Sequence, residues 1–148
     1  MNKFDKAILT LVQRNNQLTH SEIGEQVGLS NSAVRRRLSD LRKSKIIEQD
    51  VSILKPDHTG VIFIVTVSFA VDTPEGYAEF DVLMKSLPHV KQSYHISGIQ
   101  DYVLIVHGPS LQWYEDWAKK HLMTNTNLKR HDTSIVYSCK KFETAIEI

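Results

Sequence analysis

Arg35, Arg36, Arg37, Arg42, Lys43 and Lys45 crowd into eleven positions that hold one acid, Asp40. Guanidinium and ammonium groups at this density hold anions. Arginine does so with a planar fork that fits a phosphate or a guanine edge, and lysine does so as a point charge. The alternative is a solvated helix face, which is what most charge runs are. The overall charge hides the cluster. The formal net charge is +1, yet residues 1–50 carry nine Lys/Arg against six Asp/Glu, while residues 51–148 carry nine against eleven. Such an asymmetry points to a first half that meets an anion and a second half with another task.

Other chemistry is thinly represented. The seven histidines stand at 20, 58, 89, 95, 107, 121 and 131, with no ligand pair at a recognised spacing and no cysteine companion, so no metal is expected. No phosphate-loop or dinucleotide-loop pattern occurs, and no cofactor is expected. Gly108-Pro109-Ser110 reads as a turn before a helix, not a nucleophile elbow. Cys139 is the single cysteine, which fits a reducing compartment. The opening MNKFDKAILTLV lacks the continuous apolar core of a signal peptide. No apolar run approaches the ~20 residues of a membrane span. The expected setting is therefore the cytoplasm.

Three helices must position the basic cluster. Residues 5–14 place Ile8, Leu11 and Val12 on one face. Thr19 and Glu22 form a capping-box pattern, with Leu18 and Ile23 at the staple positions, and Gly28 suits a left-handed helix end. Ser30 is a good N-cap for a third helix whose buried side is Val34, Leu38 and Leu41. At about 100° per residue, Ser32, Arg36 and Ser39 then point directly outward, with Arg35 and Arg37 on opposite flanks. Two short helices, a glycine turn and a basic second helix are what a helix-turn-helix requires. On that reading Asn31, Ser32 and Arg36 reach base edges. Arg35, Arg42, Lys43 and Lys45 contact phosphates, and Ser21 at the start of the second helix meets another. Arg37 lies nearer the core side, where a structural role is expected.

From residue 46 the pattern changes. Residues 46–54 alternate loosely, as a strand or hinge, and Pro56 and Gly60 punctuate a linker. Then come a strand at 62–71, a helix at 75–87, strands at 90–97 and 102–107, a helix at 110–123 and a last strand at 133–142. The second helix of this half turns Leu111, Tyr114, Trp117, Ala118 and Leu122 inward. The order βαββαβ predicts an α+β protein in which a ferredoxin-like domain follows a winged-helix-like one. The expected domains are 1–47, a hinge at 48–60, and 61–148. In the first strand Phe63, Val65, Val67, Phe69 and Val71 make one apolar face. Ile62, Ile64, Thr66, Ser68 and Ala70 make a second that is short of polar groups, so a second subunit is expected to cover it.

Taken together, Asp5-Lys6-Ala7-Ile8-Leu9, "GLSNSAVRRRLSDL", Ile46-Ile47, "LKPDHTG" and "SGIQDYVL" at 97–104 resemble the Lrp/AsnC family, the feast/famine transcriptional regulators, over almost the whole chain. The resemblance implies sequence-specific binding to double-stranded DNA, homodimers through the C-terminal sheets that often assemble to octamers, and an amino acid or related effector bound between subunits. It gives Gly98, Asp101 and Tyr102 a candidate effector role. Physically, Gly98 lets backbone N–H groups approach a carboxylate and Asp101 can receive an ammonium; a hairpin turn that needs glycine and a capping Asp explains the same residues. Two features depart from the family. Lys45 stands where a glycine is usual before the Ile pair, and the segment from Trp113 to Asp132 is rich in Trp and His. Trp113, off the expected core face, suits an interface, an effector pocket or an anchor of the subunit contact. Siroheme decarboxylases share the two-domain layout, and Arg130 with His131 would be the only pair to serve a tetrapyrrole. An architectural DNA-wrapping protein without an effector is the third reading.

Overall fold

The computed structural model describes residues 1–148, except for the side chain of Asp57. The chain forms two compact units, one of residues 1–54 and 141–148, the other of residues 55–140.

The first unit holds α1 (Lys3–Val12), α2 (His20–Val27) and α3 (Asn31–Lys43). Helix α1 starts earlier than its apolar spacing suggests, because Asn2 caps it and Asp5 returns the bond to the Asn2 N–H. Ile8, Leu9, Ile23, Val34, Leu38 and Leu41 form the buried centre, edged by Leu11, Val12, Leu18, Val27, Leu29 and Ile47. Residues 48–54 form no strand. Residues 141–148 return to this unit, where the Gln13 side chain donates to the Ile146 carbonyl (2.7 Å) and accepts from its N–H (2.8 Å).

The second unit runs β1 (Val61–Phe69), α4 (Pro74–Ser86), β2 (Val90–His95), β3 (Tyr102–Gly108), α5 (Leu111–Ala118) and β4 (Leu128–Ile135), with a 3-10 turn at Pro56–His58 and a π turn at Lys119–Met123. The four strands lie in the order β2-β3-β1-β4, all neighbours antiparallel. Phe63, Val65, Val67 and Phe69 face the helices and pack with Phe80, Met84, Tyr102, Leu104, Tyr114 and Trp117. The expected α+β, ferredoxin-like architecture is the one observed.

Two further element bounds and the facing of one residue differ from expectation. The last strand is 128–135, not 133–142. Its sequence LKRHDTSI lacks an apolar alternation because β4 is an edge strand, bonded to β1 alone. The α-helix expected to reach Met123 ends at Ala118 and continues as the π turn. Leu111, expected inward, is exposed at the first turn. On the sheet face away from the helices, Ile62, Ile64 and Thr66 lie beside His107, Ile105 and Val103. Ile64 there is 39 % exposed at the centre of the sheet.

The turn that follows α2 folds back so closely that a Cβ built at Gly24 would run into the Leu29 carbonyl. Backbone cannot step aside as a side-chain tip can. Gly24→Ala is expected to lower the stability of the first unit by about 1–3 kcal/mol, checked by amide exchange of α2 and α3, with the second unit's exchange unchanged.

Candidate nucleic-acid interface and effector loop

The entry to α2 is fixed by a complete capping box. The Thr19 hydroxyl accepts from the Glu22 N–H at 3.2 Å, and the Glu22 carboxylate accepts from the Thr19 N–H at 2.7 Å. The Thr19 N–H and hydroxyl bonds hold the Glu22 carboxyl below its usual range. Helix α2 stops where Gly28 takes a left-handed conformation, φ 71°. Ser30 then caps α3 by accepting from the Ala33 N–H. Val34, Leu38 and Leu41 are buried, and Asn31, Ser32, Arg35 and Arg36 are exposed on the other side.

Ser30, Ser32, Arg35, Arg36, Ser39, Asp40 and Lys43 line one open depression along α3. Of the sequence-expected DNA contacts, the structure thus brings Ser32, Arg35, Arg36 and Lys43 together. Ser21 and Asn31 are exposed outside that depression, at the first turns of α2 and α3. Arg35, Arg36, Lys43 and Lys45 make no hydrogen bond or ion pair with another side chain among the described residues.

The other two arginines are engaged. Arg37 donates to Asp5 at 2.8 Å and lies over the Phe4 ring, tying α3 to α1, with its Nε buried and unbonded. Burial alone would raise the Asp5 carboxyl, but the Asn2 N–H and the Arg37 guanidinium outweigh it and hold it low. Arg42, expected on a phosphate, donates both Nε (2.8 Å) and Nη2 (3.3 Å) to the Asp50 carboxylate. Hydrogen bonding to Asp50 raises the Arg42 guanidinium, and the same bond lowers the carboxyl. Neither partner acid was read from the sequence. Both pairs join residues whose nearness depends on how the chain folds back.

Lys45 has φ 58°, the only positive value outside glycine among the described residues. It occupies the glycine position of a Schellman end. Its N–H donates to the Arg42 carbonyl (3.1 Å), and the Ile46 N–H donates to Leu41 (3.0 Å). A glycine takes this angle without a Cβ clash, so here backbone strain accompanies the placing of a cation.

In the second unit the loop between β2 and β3 carries Gly98, with φ 123° and open space beside it, and Ile99, 94 % exposed. Asp101 is inside the loop's base. Its carboxylate accepts from the Phe69 N–H (2.7 Å) and the Tyr77 hydroxyl (2.9 Å), and its N–H donates to Val67 (2.8 Å). Tyr102 is buried in the core, stacks on His95 and donates to Asp81 at 2.9 Å. Burial first, then the neighbouring carboxylates, push both the Tyr77 and Tyr102 hydroxyls far above the usual phenol range. The loop thus presents Gly98 and Ile99 outward, while Asp101 and Tyr102 brace it from below. Trp113 packs at the edge of the core against His89, ring centres 4.3 Å apart. Arg130 pairs with Asp132 and lies opposite Ser68 on the outer sheet face, while His131 lies opposite Val67 on the inner register. Successive strand residues face opposite ways, so the two do not converge on one ligand. Among the described residues no group of three His, Cys, Asp or Glu side chains is placed to hold a metal ion.

Comparison with known proteins agrees with this geometry. Residues 1–48 match the model of winged helix-turn-helix DNA-binding domains, and residues 62–146 match that of the Lrp/AsnC ligand binding domain. An HTH-type transcriptional regulator of Sinorhizobium fredii is 33% identical over 150 residues, covering 100% of this chain and 89% of that protein. The glutamate uptake regulatory protein of Zymomonas mobilis is 27% identical over 145 residues, covering 97% of this chain and 87% of the relative. A transcriptional regulator from Neisseria meningitidis, solved as a complex with L-Met, superposes with a TM-score of 0.86 at 25% identity, covering 99% of this chain and 96% of that one.

The strain at Lys45 is measurable without any ligand. Lys45→Gly is expected to raise the unfolding free energy of the first unit by about 1 kcal/mol, seen as slower amide exchange in α3; an unchanged or faster exchange contradicts the strain.

Proposed function

We propose that this chain, which belongs to the Lrp/AsnC family and is a DNA-binding transcriptional regulator with a ligand-binding domain, reads its operator with the outward side of α3. One observation carries the assignment: Ser32, Arg36 and Ser39 stand opposite the buried Val34, Leu38 and Leu41, and Arg35, Arg36 and Lys43 beside them have no acidic partner among the described residues. The N-terminal half of a recognition helix enters the major groove, so Asn31, Ser32 and Arg36 meet base edges. Arg35, Arg42, Lys43, Lys45 and Ser21 meet phosphates, which set register without reading sequence. Its setting is the cytoplasm, where the DNA is, and it performs no catalysis. The divergence of Arg130 and His131 supports no tetrapyrrole chemistry, and the relatives are regulators.

The effector is an amino acid or a related metabolite, which the L-Met complex of the Neisseria regulator and the glutamate uptake regulator support. Gly98 and its exposed neighbours receive the ligand, with Asp101 and Tyr102 as positioning residues that hold the loop. Two copies pair through the outer sheet face, where Ile62, Ile64, Val103 and Ile105 adjoin, and such pairs are units for larger rings. Ligand at the junction then shifts the population among placements of two α3 helices, and so which half-sites are bridged.

Arg36→Ala is expected to cost about 1–3 kcal/mol at a specific site and to relax sequence preference there. Binding titrations on selected duplexes check this, and an unchanged preference removes Arg36 as a reader. A thermal-shift screen of amino acids tests the sensor. A true ligand raises the melting temperature with concentration by mass action, and silence across the panel favours an architectural protein.

A further inference from the structure

Two of the six cations between residues 35 and 45 are held by carboxylates, and the two holds differ. Arg37 and Asp5 form a largely enclosed pair, side chains 22% and 17% exposed, that joins two helices. Arg42 and Asp50 are 45% and 41% exposed and join nothing to the core. Their two-point fork is the geometry in which a guanidinium takes two oxygens of a phosphate. Arg42 follows Arg35 by seven residues, so it lies on the same flank of α3, about 10 Å farther along the axis. Arg35, on that flank, is free, while Arg42 is taken by an anion of the protein itself.

Asp50 sits in the segment that leaves the first unit after Leu54. No other side chain from Glu48 to Leu54 makes a hydrogen bond or ion pair among the described residues.

We propose that Asp50 is a built-in competitor for DNA phosphate, which holds Arg42 in the free protein and is displaced when the duplex presents a phosphate to that flank of α3. The proposal rests on the reading of α3 as the groove-facing helix, and it adds a regulator of that surface. Affinity is lowered by the need to break the pair. Any change that draws residues 48–54 away from α3 releases Arg42 and raises affinity, so the exit of the chain from the first unit becomes a place where DNA binding is tuned.

The test is a four-protein cycle on the full chain: wild type, Asp50→Asn, Arg42→Ala and the double variant. Each is titrated with sheared mixed-sequence duplex DNA over a range of salt. Asp50→Asn should bind about two- to fivefold more tightly, the size of an exposed ion pair. Arg42→Ala should bind more weakly and flatten the slope of log K against log salt by about 0.9. The double variant should match Arg42→Ala, because the gain passes through Arg42. Asp50→Ser supplies the same comparison should Asn alter the melting curve. An Asp50→Asn protein no tighter than wild type overturns the proposal. So does an equal gain in the Arg42→Ala background, which marks simple repulsion between Asp50 and DNA. Either result beside a steep salt dependence in wild type leaves the α3 reading standing; a wild-type chain indifferent to duplex in dilute buffer overturns both.

Discussion

The folding of the α2–α3 turn onto α2 at Gly24 and Leu29 is the constraint on which the charged face of α3 depends. A helix has one rotational setting for each set of buried residues. Because Gly24 admits the Leu29 carbonyl at contact, Val34, Leu38 and Leu41 can seat against Ile8 and Ile23. Once those three are seated, Ser32, Arg36 and Ser39 have no choice of direction. The charged face is thus a consequence of the packed face. The caps at Thr19 and Ser30 and the left-handed Gly28 serve the same end, by fixing where each helix starts and stops.

The second unit shows an analogous economy around its loop. An acid and a phenol beside the open loop are both tied into the scaffold. Asp101 joins the end of β1 to α4 through Tyr77, and Tyr102 crosses to Asp81. Both phenols are then locked as donors by burial and by the carboxylates they face. A loop braced in this way can keep Gly98 open without collapsing onto the sheet.

Much of this was legible from residue order. The capping box at 19–22, the Gly28 stop, the buried stripe of α3 and the alternation of β1 are local codes, each contained in a few neighbouring residues. Strand β4 was placed too late, because an edge strand with one neighbour needs no apolar alternation, while the more apolar Val136, Tyr137 and Cys139 beyond it lie in no strand. The Arg37–Asp5 and Arg42–Asp50 pairs were illegible, since periodicity gives a residue's face but not what is folded against it. The role of Asp101 was legible as a loop cap and as a ligand group alike; its hydrogen-bond partners on β1 and α4 were not, because they are remote in sequence. Lys45 was noticed as a departure, and its dihedral angle supplies the meaning.

The return of residues 141–148 to the first unit makes the chain topologically an insertion. The sheet-bearing part interrupts a smaller body in which Met1 and Ile148 border one groove. Two covalent threads rather than one therefore pass between the halves. Removing residues 141–148 therefore trims the helix-bearing body, although the sheet-bearing part is the one next to them in sequence.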